Sequence, residues 1–481
     1  MSLRLRLLAL LALAAAPFVA PQPAASQAAE SITLSPAERM AVVRAIMSGA
    51  EPPPADPARM SDAALTSHLL DHARTEAGQR VRPRAINRLW ALEPEVRNLS
   101  AEWLVARSQG RLAEWALSLS PSDPRYQALV SARRRYAAIV QGGGWSSLPS
   151  DLRLAPEATG AGVVELRKRL AAEGFAAPEG ETPEHYDAAL VDLVRSFQAL
   201  RGLEPDGVVG PATLAALNVT AEARLSQIDV NLERWRWSPR PPPADRLEVD
   251  VGAATATLFQ DGAPALSMRI VVGDKGHPTP MFASQLEAVV LNPPWNVPTS
   301  IAQGEILPRA ARDPGYLARH NYVFVGGRLQ QRPGPDNALG QVKFDLPSPF
   351  GVYLHDTPGR AAFARPVRTL SHGCMRLEKP RELAERLLAG QGWDRAAIDA
   401  AIAAGETRRI ELSVATPLLV TYRTAFVDER GLHLLPDPYG WDEPLARALL
   451  RAGAQTAGLQ SAAPGPNTAS ECEPGRGQAL L

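Results

Sequence analysis

Cysteine is nearly absent from this 481-residue chain, which has two, Cys374 and Cys472. Two thiols build neither a disulfide-stapled framework nor a four-cysteine metal site. Excess charge of either sign is also absent. Lys plus Arg and Asp plus Glu each number 51, which excludes a dedicated polyanion binder steered to nucleic acid or anionic membrane. Beyond the first 20 residues no apolar run approaches the roughly 20 residues needed to cross a bilayer. What is plentiful is proline, 44, and glycine, 36, which signals many loops. The 45% hydrophobic fraction is too high for a wholly disordered chain. At about 100–200 residues per domain, the length predicts two to four domains.

The first 28 residues have the layout of an export signal. Arg4 and Arg6 precede an apolar run from Leu7 to Ala20, and Ser26-Gln27-Ala28 offers a cleavage site after Ala28. Pro17 and Pro21 interrupt the run, which argues against a membrane anchor. No cysteine lies near it to carry a lipid. The chain is expected to work outside the cytoplasm with no membrane span in its mature form.

Helical periodicity marks a domain over 35–150, with segments at Ala37–Ile46, Asp62–Ala73 and Tyr126–Ile139. His68 and His72 stand one turn apart there, but a packing or surface role is favoured over a metal site because no third ligand is near. A compact unit follows over 158–222. It has helices at Val164–Leu170 and Ala188–Leu200, a third short helix after Pro211, and turns at Gly207 and Gly210 where positive φ would suit glycine. From 245 to 452 the pattern turns to β-branched and alternating segments: Leu247–Val251, Met268–Val272, Ala288–Leu291, Val342–Phe344, Val352–Leu354, Ile410–Val414 and Leu418–Tyr422. One helix, Pro380–Ala389, interrupts them. The Ala/Gly/Pro/Ser-rich stretch 454–481 reads as a disordered tail.

Chemistry concentrates in Tyr353-Leu-His355-Asp356 and Ser371-His372-Gly373-Cys374-Met375-Arg376. A free thiol, with a pKa of about 8.5, is mostly protonated at neutral pH, and a partner imidazole can take its proton. Two histidines can divide that labour, one moving the proton and the other helping to hold developing negative charge. A disulfide between Cys374 and Cys472 is the weaker alternative, since Cys472 sits in a low-complexity stretch. His355 could instead be a satisfied core histidine, and His355, His372 and Cys374 could form a three-ligand metal set. No second ligand pair supports the latter. The planar fork of Arg376 could bind a substrate carboxylate or form a buried ion pair that shapes the loop.

Ser-His-Gly-Cys-Met-Arg with its upstream Tyr-Leu-His-Asp resembles the active-site signature of the L,D-transpeptidases, the cysteine enzymes of peptidoglycan cross-linking. The likeness extends to Asn231–Trp237, Gly273 with Thr279-Pro280, Asn292–Pro298, Gly334–Gly340 and Lys343-Phe344. Val163–Asn218, with SerPheGlnAlaLeuArgGlyLeu and AspGlyValValGlyProAlaThr, resembles a peptidoglycan-binding module.

The resemblance implies an α+β chain: a β-rich catalytic domain, a small three-helix peptidoglycan-binding-like domain and an N-terminal helical scaffold domain. It implies Cys374 as nucleophile and His355 as general base, oriented by the backbone carbonyl of Asp356. His372 and Tyr353 would line the oxyanion region, with the N–H groups of Cys374 and Gly373 as donors, and Arg376, Ser371 and Trp295 would meet substrate. No metal or organic cofactor is implied. The implied substrates are peptidoglycan stem peptides and glycan, the location is the periplasm, and proteins of wall synthesis are implied as partners. Acylation by carbapenems follows from the thiol chemistry of the family. A short cap is expected over about 316–331, where Gly326-Gly327 is a hinge or, more commonly, a hairpin turn. Two rival functions remain: a hydrolase at the same site, cutting stem peptides or releasing wall-attached protein, and a wall-binding scaffold with an inert catalytic domain.

Overall fold

The computed structural model describes residues 32–461 except 52, 53, 55 and 177–181. The expected export signal, Cys472 and most of the expected tail lie outside the described residues. One part of the tail expectation is corrected, because the last helix, Asp442–Ser461, runs past residue 454.

The N-terminal region is helical. The Pro36–Ser48 helix begins with a capping box in which Ser35 and Glu38 satisfy each other's backbone N–H groups. It packs against Asp62–Glu76 and the short helices Leu99–Ser108 and Leu112–Leu117 around Val42, Leu65, Leu69 and Trp103. His72 is buried in this packing. The small three-helix unit consists of Ala161–Ala172, Ala188–Leu200 and Pro211–Leu217, closed around Val163, Leu166, Val194 and Phe197. Of its two turn glycines only Gly207 has a positive φ, 78°. Gly210 is extended, φ −86° and ψ −174°, the conformation favoured before Pro211.

A helix that periodicity did not reveal, Ala221–Arg236, joins these parts to the β-rich region. It packs against Pro124–Gln141 of the helical region and against Asp442–Ser461. Glu233, Arg234 and Arg236 are buried in it and paired. Arg236 bonds Glu76 at 3.0 Å and Glu233 at 3.1 Å, and Arg234 meets Asp442 at 2.5 Å. Glu76 also accepts from the Tyr126 hydroxyl at 2.7 Å. Breaking one partner of a buried pair leaves the other charge uncompensated. Glu76→Gln is therefore expected to cost about 3 kcal/mol, read as a lower urea midpoint, whereas an unchanged midpoint would show that Glu233 alone satisfies Arg236.

The C-terminal region is built on a sheet that closes on itself. Its strands are β1 (Arg246–Asp250), β2 (Thr255–Gln260), β3 (Ala263–Gly273), β4 (Phe282–Leu291), β5 (Trp295–Asn296), β6 (Tyr322–Val325), β7 (Arg328–Gln331), β8 (Val342–Asp345), β9 (Leu354–His355), β10 (Thr369–Ser371), β11 (Met375–Leu377) and β12 (Arg408–Thr421). The order is β10-β3-β11-β9-β8-β4-β12-β1-β2, and a β2–β3 pairing completes the ring. The two strands expected at 410–422 are one strand with a register shift between Glu411 and Thr416. Helices Pro380–Leu387 and Arg395–Ala403 pack on its core with Leu383, Leu388 and Ile398.

Between β4 and β8 the chain leaves the barrel as a separate small unit. Strands β5, β7 and β6 form a three-stranded sheet, and 299–319 form short helical turns beside it. Val297, Ala302, Ile306 and Leu329 give this unit its own core. The segment expected to form a cap, 316–331, is one part of it. Gly326 and Gly327, φ 56° and 77°, form the hairpin turn rather than a hinge.

Candidate active site

Strand alternation gathers the chemistry. β9 and β11 run parallel with Leu354 opposite Met375 and His355 opposite Arg376, while antiparallel β8 places Lys343 opposite His355. Side chains two residues apart share a face. Met375, Leu377, Leu354 and Phe344 therefore point into the core, each fully buried. On the opposite face stand Arg376, His355, Tyr353 and Lys343, with Cys374 at the strand entrance.

The loop that presents the thiol is held from behind. Gly373 has φ 105°, a conformation that side chains resist. Ser371, expected to touch substrate, is buried instead; its hydroxyl accepts from the Gly373 N–H at 3.2 Å and donates to the Cys374 carbonyl at 2.6 Å. The Gly373 N–H is thus occupied within the turn and is not free for an oxyanion. The Cys374 N–H has no hydrogen-bond partner among the described residues. Thr279 donates to the Gly373 carbonyl at 2.8 Å and accepts from the Gly273 N–H at 2.9 Å. Tyr439 in turn donates to the Gly273 carbonyl at 2.7 Å.

Cys374 is a free, partly exposed thiol. Burial pushes it above the ordinary thiol value, opposed by hydrogen bonds from Tyr353 and by the positive charges of Arg376 and Lys343. The Tyr353 hydroxyl, pushed upward chiefly by burial, donates to Cys374 and accepts from Trp295 of the small unit between β4 and β8. Burial is also the main reason His355 falls to about 3, with Arg376 adding to the fall. Its Nδ1 bonds the Asp356 carbonyl at 2.5 Å. A carbonyl only accepts, so Nδ1 carries the proton and Nε2 keeps its lone pair. No carboxylate pairs with Arg376 among the described residues, and its Nε is buried without a partner. The ion pair that was one reading of Arg376 is therefore not formed.

On the side of the small unit between β4 and β8, His372 Nε2 lies 2.9 Å from Glu305 Oε1, and its ring lies 4.6 Å from that of His277. His277 Nδ1 meets Asp274 at 3.1 Å. Sequence reasoning assigned no role to Glu305, His277, Asp274, Tyr439 or Lys343. Only Lys343 lay in a quoted motif; the others carry no local signal, since the fold alone brings them to the loop. No group of three or more His, Cys, Asp or Glu able to hold a metal occurs among the described residues.

The family profile described as the L,D-transpeptidase catalytic domain matches residues 244–398, a span that holds Cys374, His355, His372 and Arg376. The chain carries an L,D-transpeptidase catalytic domain. Beside it, a profile described as "Putative peptidoglycan binding domain" matches 159–217 and a scaffold-domain profile matches 15–132. A Haemophilus influenzae protein named "Putative L,D-transpeptidase" is 34% identical over 218 residues. That alignment covers 41% of this chain and 44% of the relative, so less than half the relative's length is matched. Among solved structures, an L,D-transpeptidase from Mycobacterium smegmatis aligns at 18% identity and TM-score 0.20, over 37% of this chain and 59% of that one. The enzyme from Xylanimonas cellulosilytica aligns at 16% and 0.18, over 56% and 98%. The assignment of the L,D-transpeptidase domain rests on the matched profile. No described helix is long and apolar enough to cross a membrane.

Proposed function

We propose that this protein is an exported, periplasmic peptidoglycan L,D-transpeptidase that forms cross-links between two third-position diaminopimelate residues. The observation that carries the reading is the placement of Cys374, Tyr353, His355 and Arg376 on one sheet face, with the Asp356 carbonyl fixing the tautomer of His355.

Cys374 Sγ attacks the carbonyl that joins the L-centre of diaminopimelate to the terminal D-alanine of a tetrapeptide stem. His355 Nε2 takes the thiol proton as the C–S bond forms. The Cys374 N–H faces the developing oxyanion, and the unpaired guanidinium of Arg376 binds the substrate carboxylate. His355 returns the proton to the departing nitrogen, D-alanine leaves and a thioester remains. The side-chain amine of a neighbouring stem then takes the acyl group. The helical unit at 158–222 is proposed to dock the glycan, the region at 35–150 to act as its scaffold, and proteins of wall synthesis to be partners. The same thiol chemistry makes the enzyme sensitive to carbapenems.

The test is mass spectrometry of the protein lacking its first 28 residues, incubated with disaccharide-tetrapeptide. A dimer lighter by one D-alanine is expected. Monomeric tripeptide alone would replace the reading by hydrolysis, and no product together with no carbapenem adduct would replace it by an inert wall-binding scaffold.

A further inference from the structure

The reaction needs two proton acceptors in different settings, and the site contains two different imidazoles. His355 is buried and bonded to a neutral carbonyl. His372 stands at the cleft mouth with a side-chain exposure of 40%, and its Nε2 lies 2.9 Å from the carboxylate of Glu305, itself 39% exposed. A carboxylate only accepts, so Nε2 of His372 donates to Glu305, and in the neutral ring Nδ1 then keeps a lone pair, which is the carboxylate–imidazole arrangement that makes a general base. Glu305 comes from the small unit between β4 and β8, within a π-helical turn at Ala302–Ile306, an irregularity frequent at functional sites. The His277 ring lies against the same ring from the β3 end, and Asp274 bonds His277 in turn.

We infer that Glu305 and His372 form the acceptor site, binding the cationic side-chain amine of the second stem and removing its proton. The inference rests on the transpeptidase reading and divides its two halves between the histidines. The acceptor arrives as an ammonium, which the Glu305 carboxylate attracts and which gives one proton to His372 Nδ1. The freed lone pair attacks the thioester carbon, so that a C–N bond forms and the C–S bond breaks. A second nitrogen proton passes through His355 to the leaving sulfur, restoring the Cys374 thiol. The proton on His372 is lost to solvent. Water, which carries no charge, is not drawn in by Glu305 as an ammonium is, so the carboxylate favours cross-linking over hydrolysis.

The experiment follows dimer, hydrolysed tripeptide and released D-alanine in one reaction for the native protein and Glu305→Gln. Dimer formed per D-alanine released is expected to fall about 10- to 100-fold in the variant, with tripeptide rising in its place. Hydroxylamine, uncharged at neutral pH, should trap both acyl-enzymes equally, and Glu305→Asp should recover part of the dimer. An unchanged dimer-to-tripeptide ratio would overturn the inference. So would a fall in hydroxylamine trapping to match the fall in dimer, which would mean that Glu305 only shapes the loop. A native protein that releases no D-alanine would instead sink the transpeptidase reading itself.

Discussion

Cys374→Ala is expected to abolish acyl transfer, lowering D-alanine release on the order of 10⁵-fold. No other side chain on the functional face can form the thioester: Tyr353, His355, Arg376 and Lys343 offer a hydroxyl donor, a base and two cations. The variant should also lose the covalent carbapenem adduct in intact-mass spectra. Its fold should survive, because the loop is held by Ser371, Thr279 and the conformation of Gly373, none of which depends on sulfur. A variant that still released D-alanine at a tenth of the native rate, about one decade down on the scale of such losses, would move the nucleophile elsewhere.

The second large effect belongs to His355. His355→Gln should slow acylation about a thousandfold while leaving Cys374 present and alkylatable. The pH profile separates two ways of activating the thiol. Burial holds the His355 imidazole neutral down to about 3 and raises the Cys374 thiol. A preformed thiolate–imidazolium pair is therefore disfavoured from both sides, and the proton moves as the carbonyl is attacked. Carbapenem acylation by the native protein should accordingly show no His355 inflexion near its ordinary value of 6.5. An acid limb centred there, present in the native protein and in Glu305→Gln alike, would mean that His355 titrates as an exposed imidazole. The same depression makes a stability statement. The folded chain resists a proton that the unfolded chain accepts below 6.5, so this contribution is present above 6.5 and is lost as the pH falls toward about 3. His355→Gln should lack that part of the acid sensitivity, read as a urea midpoint that declines less between those limits.

How much of this was legible beforehand depended on whether the signal was local. The Pro36–Ser48, Asp62–Glu76 and Ala188–Leu200 helices follow from periodicity, because a helix satisfies its hydrogen bonds within its own segment. The buried Ala221–Arg236 helix was not legible. Nothing local marks Glu233, Arg234 and Arg236 as buried, and partners distant in the chain, such as Glu76 and Asp442, make burying them tolerable. Ser371 was misplaced for a related reason. Beside a nucleophile a serine reads as a substrate contact, whereas the positive φ of Gly373 turns the chain so that the hydroxyl closes the loop on itself.

The sequence by itself determined which reactive groups are present: a cysteine, two histidines and an arginine in a pattern that resembles the L,D-transpeptidase signature, and helical regions set before a β-rich one. Tertiary structure alone decided which of these groups act together. Register between β9 and β11 put His355 beside Arg376, and the path of the chain between β4 and β8 brought Glu305 to His372. Residue types and local periodicity are written along the chain. Pairing register, burial and the meeting of residues 67 positions apart, as Glu305 and His372 are, depend on closing the barrel, where the loss of chain entropy is repaid only by contacts between distant strands.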